Sequence, residues 1–267
     1  ALARLLPLKP RGDWYDRSDL FFLVLLRYLT GVPSERKALE ALELHNALFF
    51  GKPLRLPAQS VLSDFRKKVK PKGFRALFEA FVSKLGLRAC IVALDASNFK
   101  AYANKFREVK SDKDAGWLRR KTKILFGYKL HVLIDAEREL PIAFCITPAN
   151  VHETNVFKRL LKKTRKTLIA LADKGYDSQD NRLAALEQQT LPIIPYNKRR
   201  SKRQKKLNQL EQLVYNLRTS VERVFSRAKH SHALDKLTTR GISRAYIHAT
   251  LSLTALVITG LFIGATR

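Results

Sequence analysis

The sequence predicts an α/β fold, a mixed sheet flanked by helices, preceded by an all-helical region. Three observations carry that expectation. The runs CIVALDAS (90–97) and TLIALAD (167–173) are apolar, too short for helices and marked by an aspartate at or near their ends, so they read as buried strands. ILFGYKLHVLIDA (124–136) and LPIAFCITPA (140–149) flank the turn-like EREL and read as a hairpin. Residues 1–88, by contrast, read as helices throughout. The expected division is a helical region over 1–88 and a sheet-bearing domain over 89–267, with a basic loop at 197–209 and a C-terminal packing helix at 241–265.

Within the helical region, Asp19 or Ser18 is placed to cap an apolar helix over 20–30, which Gly31 and Pro33 end. Ser34, with Arg36 and Lys37, opens a second helix carrying Leu39, Leu42 and Leu44, and Gly51 with Pro53 breaks it. LPAQSVLSDFRKKVK predicts a third, capped near Ser60, with Val61, Leu62, Phe65 and Val69 apolar and Arg66, Lys67, Lys68 and Lys70 basic. Such a helix suits DNA binding, or equally a packing domain with solvated lysines. After the first strand comes a polar, basic stretch from Asn98 to Lys123. Asn150 is expected to cap a helix from His152 to Thr164, and Ser178 one that reaches Gln189. LPIIPY makes a last short strand, and VYNLRTSVERVFSRAK (214–229) a helix. An antiparallel hairpin followed by strand–helix crossovers implies a mixed sheet, with right-handed crossovers.

Hydrophobic content of 46% excludes wholesale disorder. The 51 basic and 23 acidic residues leave a formal charge of +28, which points to a polyanionic partner, nucleic acid first and an anionic membrane surface second. Cys90 and Cys145 lie in apolar runs without a CxxC pattern, which fits a reduced, cytoplasmic chain better than a disulfide scaffold or zinc site. ALARLLPLKP has no signal-peptide pattern, and the absence of methionine implies a sequence lacking its initiator. The uncharged run at 249–265 is at the lower edge of membrane-span length, but serines, threonines and glycines dilute it; a buried packing helix is expected, and no membrane partner. Arg27 interrupts the run at 20–32, which reads as a core helix.

Asp95 and Asp173 share one setting, the carboxyl end of a short apolar strand, where sites form in open α/β sheets. If those strands are neighbours, the two acids meet, and they repel unless a cation neutralises them. Hard oxygen ligands suit Mg²⁺, and a pair of such ions suits phosphoryl transfer. Glu222 is the third candidate. At about 100° per residue, Arg218 lies roughly 40° from Glu222 around the helix and Lys229 roughly 20° from it on the same side, with Tyr215 in the same narrow arc. That stripe presents a metal ligand flanked by phosphate clamps.

Tyr215, Arg218, Glu222 and Lys229 match a Y-(2)-R-(3)-E-(6)-K spacing, and the chain resembles the DDE transposases of bacterial insertion sequences that bear this signature. ALDAS, FGYKLHVLIDAERELPIAFCITPANVHE and LADKGYDS resemble that family's segments around its first two catalytic aspartates, and the resemblance covers about 90–265. It implies a ribonuclease H-like core in which Asp95, Asp173 and Glu222 bind two Mg²⁺ or Mn²⁺ ions. It further implies hydrolysis at transposon ends, joining of the freed 3′-hydroxyl to target DNA, and a homodimer on paired ends. Tyr215, Arg218 and Lys229 are expected on DNA, as are Lys198, Arg199 and Arg200 in the basic loop, which stands where some relatives carry a β-rich insertion.

Other polar residues receive structural readings. Asp177 is expected to cap the helix that follows it, Asp135 to sit in a hairpin turn, and His131 to be packed within its strand. Glu153 favours the positive end of a helix dipole, with a ligand role as the minor reading. His230 and His232 are near enough to Lys229 to touch DNA, but are not assigned to it. Two rivals to a transposase stay open: a metal-dependent nuclease on the same fold and a non-catalytic DNA-binding descendant.

Overall fold

The structure, a computed structural model, describes residues 15–43, 56–86, 89–104, 111–120, 123–164, 166–197 and 206–265. The chain divides into two compact units: 1–81 with 227–239 and 243–267, and 82–226 with 240–242.

In the helical unit, α1 (Arg17–Thr30) starts earlier than expected. Asp16, rather than Asp19 or Ser18, is its N-cap and accepts from the Arg17 amide. Gly31 ends it at φ 67°, where a Cβ would also lie 2.6 Å from the Ser231 carbonyl oxygen; the turn and the close approach both require glycine. Next come α2 (Glu35–Glu43) and α3 (Gln59–Lys84), the latter kinked at Lys70 just before Pro71. Ser34 Oγ accepts from the Lys37 amide, as a helix-opening serine should. Leu23, Val24, Leu62, Phe74 and Leu77 are almost fully buried in one core with Leu251 and Ala255 of the C-terminal helix (Ile242–Ala265). That helix is long and apolar enough to cross a membrane, yet 67% of its most apolar window is buried within the fold. Its His248 bonds the Tyr28 hydroxyl at 2.9 Å and the Leu234 carbonyl at 3.0 Å, so burial of two polar side chains leaves neither unsatisfied.

The other unit holds a six-stranded sheet: β1 (Ile91–Lys100), β2 (Gly116–Arg120), β3 (Lys123–Asp135), β4 (Leu140–Pro148), β5 (Ile169–Ala172) and β6 (Leu191–Ile193). β3 pairs antiparallel with β1, β2 and β4, while β5 runs parallel to both β1 and β6. β2 falls in the stretch read as polar and basic, where no strand was expected; its Leu118 and Trp117 pair with Leu125 and Phe126 of β3. β1 continues past Asp95, because its ladder with β3 runs on to Lys100 opposite Gly127.

Between strands lie α4 (Thr154–Leu161) and α5 (Gln179–Leu186). Ser178 caps α5 through its Oγ and the Asn181 amide. Asn150 does not cap α4: Glu153 holds the N-cap position and its side chain makes no capping bond. The predicted single helix over 214–229 is interrupted. α6 (Gln209–Tyr215), opened by a capping box between Asn208 and Glu211, ends at Tyr215. A 3₁₀ turn (Asn216–Arg218) follows, and then α7 (Thr219–His230). The tighter turn changes the angular step between Tyr215 and Glu222, so the stripe is not the one an unbroken α-helix would present.

Candidate active site

The parallel ladder between β1 and β5 ends with Leu94 opposite Ala172. Asp95 and Asp173 are the next residues on the two strands, so neighbouring strands deliver both acids to one end of the sheet. Asp173 Oδ1 accepts from the Gly175 amide at 2.8 Å and opens the 3₁₀ turn Lys174–Tyr176. Asp95 Oδ1 accepts from the Ala96 amide at 2.7 Å. Burial pushes the Asp95 carboxyl up to about 6; Asp173 and Glu153 push the same way, and the Ala96 amide and Arg218 oppose them.

Arg218, in the 3₁₀ turn, ties the third acid to the first. Its Nη1 lies 3.3 Å from Asp95 Oδ2 and its Nη2 2.9 Å from Glu222 Oε1. Burial opposes the guanidinium's charge, but Tyr215, Asp95 and Glu222 outweigh it and raise the Arg218 pKa. The same guanidinium stands 5.7 Å from the centre of the Tyr215 ring, a cation–π contact. Burial raises the Tyr215 phenol, and Arg218 opposes that shift. Glu222 is 60% exposed, so this edge of the cluster is open to solvent.

A fourth carboxylate stands beside these. Lys129, buried on β3, donates to the Val151 carbonyl at 2.9 Å and to Glu153 Oε1 at 3.3 Å. A Cβ on Gly175 would lie 2.5 Å from Glu153 Oε2 and 2.8 Å from Asp173 Oδ1, so the turn after β5 must be glycine for the two acids to share the space. Sequence reasoning ranked Glu153 as a helix-dipole residue. The signal that pointed further was its place at the end of the segment FGYKLHVLIDAERELPIAFCITPANVHE.

Sequence-predicted residues thus divide. Asp95, Asp173, Tyr215, Arg218 and Glu222 come together. Lys229, further along α7, belongs to the helical unit, where its Nζ is 3.9 Å from Asp235 Oδ1. Lys198, Arg199 and Arg200 lie outside the described residues. Asp177 does not cap α5, whose N-cap is Ser178; it holds Arg182 through Oδ1 and accepts from the Asn197 amide through Oδ2. Asp135 accepts from Glu137 and Arg138 in the hairpin turn. His131 is fully buried against Thr147, and His232 is buried against the Tyr28 carbonyl.

Among the described residues, no three His, Cys, Asp or Glu side chains close into a ready metal cage. The donor chemistry nevertheless fits a hard divalent cation: Asp173 and Glu153 add to the burial that raises the Asp95 carboxyl, and two of the acids already share one cation, the Arg218 guanidinium.

Comparison with known proteins shows what the chain is similar to. The sequence pattern described as a transposase DDE domain matches residues 86–258. A 78-residue stretch is 42% identical to the transposase for insertion sequence element IS1106 of Neisseria meningitidis serogroup B, covering 29% of this chain and 27% of that protein. The fold resembles that of piggyBac transposase in its synaptic complex with hairpin DNA, with a TM-score of 0.51 and 10% identity over 98% of this chain and 71% of that one. The mixed sheet flanked by helices is the ribonuclease H-like fold that the sequence resemblance implied. On the match over 86–258, the chain belongs to the family of transposase DDE domains.

Proposed function

We propose that the protein is a DNA transposase of the insertion-sequence type with the Y-(2)-R-(3)-E-(6)-K signature, cleaving transposon ends and joining the 3′-hydroxyl to target DNA. The observation that carries this reading is the delivery of Asp95 and Asp173 to one end of adjacent strands, with Arg218 joining Asp95 to Glu222, in a chain of formal charge +28. Asp95, Asp173 and Glu222 would hold two Mg²⁺ or Mn²⁺ ions, which when bound supply charge stabilisation to phosphoryl transfer.

The chain's own groups supply the remainder. Arg218, released from its acids, has the planar fork that binds a phosphate through two parallel hydrogen bonds. Tyr215 supports that guanidinium through its ring. Lys129 donates to Glu153 and holds it against the turn at Gly175, which sets the position of Asp173. Lys229, with Lys198, Arg199 and Arg200, adds backbone affinity without reading sequence. In this reading residues 1–88 contribute DNA binding, 89–267 catalysis, and two protomers hold paired ends on chromosomal DNA in the cytoplasm.

The test is cleavage and strand transfer on terminal-repeat DNA with Mg²⁺ or Mn²⁺. Asp95→Asn, Asp173→Asn and Glu222→Gln should each abolish cleavage and leave DNA binding intact or slightly tighter, since each removes a negative charge facing phosphate. Loss of binding in all three would make these acids structural. A 3′-hydroxyl oligonucleotide that is never joined would favour a nuclease on the same fold, and no nicking at all a non-catalytic DNA-binding protein.

A further inference from the structure

The helical unit contains a cavity of about 800 Å³ that no part of the carboxylate cluster lines. Five cationic side chains border it, Arg27, Arg66, Lys67, Lys70 and Arg244, against a single carboxylate, Glu35. Glu35 is buried and paired with Arg66, and Lys67 pairs with Asp64 at the surface. Lys70 and Arg244 are exposed. Burial lowers the Arg66 pKa, and Arg27 and Arg244 lower it further, which places three guanidiniums within one another's field.

Arg27 adds an independent observation. It is only 3% exposed, donates to Thr238 Oγ1 and the Lys236 carbonyl, and has no partner for its Nε. A buried guanidinium with an unused donor beside a cavity full of like charge is poised for an anion. The backbone reinforces it. Ser34 immediately before α2, Ser60 in the first turn of α3 and Ser243 in the first turn of the C-terminal helix all line the cavity. Three helices of 9, 26 and 24 residues therefore turn their positive ends and a hydroxyl each toward one space. Lys70 is held there at φ 58°, ψ 165°, a conformation that non-glycine residues rarely adopt.

We propose that this cleft binds backbone phosphates of double-stranded DNA, as a second contact separate from the carboxylate cluster. The proposal rests on DNA being the substrate. The cleft's one tyrosine, Tyr28, is buried and bonded to His248, so it offers no free ring face to a base; the chemistry on display recognises phosphate. The cavity is also far larger than a lone phosphate requires.

The test uses the full chain carrying Asp95→Asn, without metal, and measures affinity for a random-sequence duplex across a salt series. Lys70→Gln and Arg244→Gln should each weaken binding about fivefold or more and lower the slope of log K against log salt by about one. Arg36→Gln and Arg75→Gln, which remove exposed arginines paired with Glu40 and Glu79 elsewhere in the unit, should leave both quantities unchanged. Lys70→Gly separates charge from folding: it relieves the backbone, so the melting temperature should hold or rise while affinity still falls. Unchanged duplex affinity in both cleft variants would overturn the proposal, as would equal losses in the Arg36 and Arg75 controls. If inorganic phosphate at constant ionic strength stabilises the wild-type chain but not Arg244→Gln, and duplex affinity is unaltered, the cleft takes free anions instead and the proposal is again overturned. Because cleavage is not read, failure here is distinct from failure of the transposase reading.

Discussion

Arg218 and Asp95 come from distant parts of the sequence, yet the Arg218 guanidinium lies 3.3 Å from the Asp95 carboxylate while also holding Glu222. One side chain therefore neutralises two of the three candidate metal ligands. In the proposed reading a divalent cation would compete with the guanidinium for the same oxygens, so Arg218 would have to yield before Asp95 and Glu222 could hold it.

Replacing Arg218 with Ala should lower both stability and cleavage. Stability should fall by about 1 kcal/mol near pH 8, since Glu222 is exposed and only the Asp95 half of the pair is sheltered. Below about pH 6, where Asp95 takes up its proton, that stability difference should shrink. Arg218→Lys should restore only part of the cleavage rate, because an ammonium cannot span both partners as a planar fork does. Thermal melts at pH 5 and 8 beside single-turnover cleavage check this; an unaltered rate in Arg218→Ala would leave Arg218 a surface pair.

Asp95 should itself make the metal-free fold less stable at neutral pH. Its folded pKa, about 6, is above the ordinary value of 3.8, so the folded state binds the proton more tightly and stability falls as pH rises from about 4 to about 6. Asp95→Asn removes that dependence. The variant should melt higher than wild type at pH 7, by at most about 3 kcal/mol, and match it below pH 4. Melts in the presence of a chelator provide the measurement, and a variant destabilised at pH 7 would contradict it.

Gly175→Ala tests whether Glu153 belongs to the site. The new Cβ would press on the carboxylates of Glu153 and Asp173, both at the ends of side chains that can shift. The fold should survive with a melting change of about 1 kcal/mol, while cleavage falls at least about tenfold through displacement of Asp173. A Glu153→Gln, Gly175→Ala double variant that loses less than the sum of the single losses would show that the two act through one contact.

His131 predicts an acid-side loss of stability. Burial pushes its imidazole down to about 3, and Lys129 and Arg159 push it the same way. A base with a depressed folded pKa stays neutral in the fold while the unfolded chain gains a proton, so stability is full above about 6.5 and falls as pH drops toward 3. His131→Leu should flatten that limb, although it also leaves the Thr147 hydroxyl without its imidazole partner. Denaturant titrations between pH 4 and 7 measure the slope; equal slopes in the two proteins would refute the assignment.

Much of the sheet-bearing unit was legible in the sequence because strands and caps are local. Short apolar runs placed β1, β3, β4, β5 and β6, and Ser178 marked the start of α5. The matched strand-end settings of Asp95 and Asp173 were legible because strand ends are properties of the nearest few residues, while the pairing of β1 with β5 that brings the two together came only with the tertiary structure. Spacing alone drew attention to Tyr215, Arg218 and Glu222. Tertiary structure decided the remainder, because long-range pairing and packing leave little local trace. β2 is short and basic, and exists through hydrogen bonds to β3 that its own composition does not advertise. The 3₁₀ turn at 216–218 aims Arg218 at Asp95 as well as Glu222, a contact no helical wheel contains. Glu153 joined the acids because Lys129 and the space above Gly175 hold it there. The apolar C-terminal helix announced that it would be buried, but only packing chose its partners, the N-terminal helices α1 and α3, since apolar surface is non-directional and takes whichever complementary face the chain brings to it.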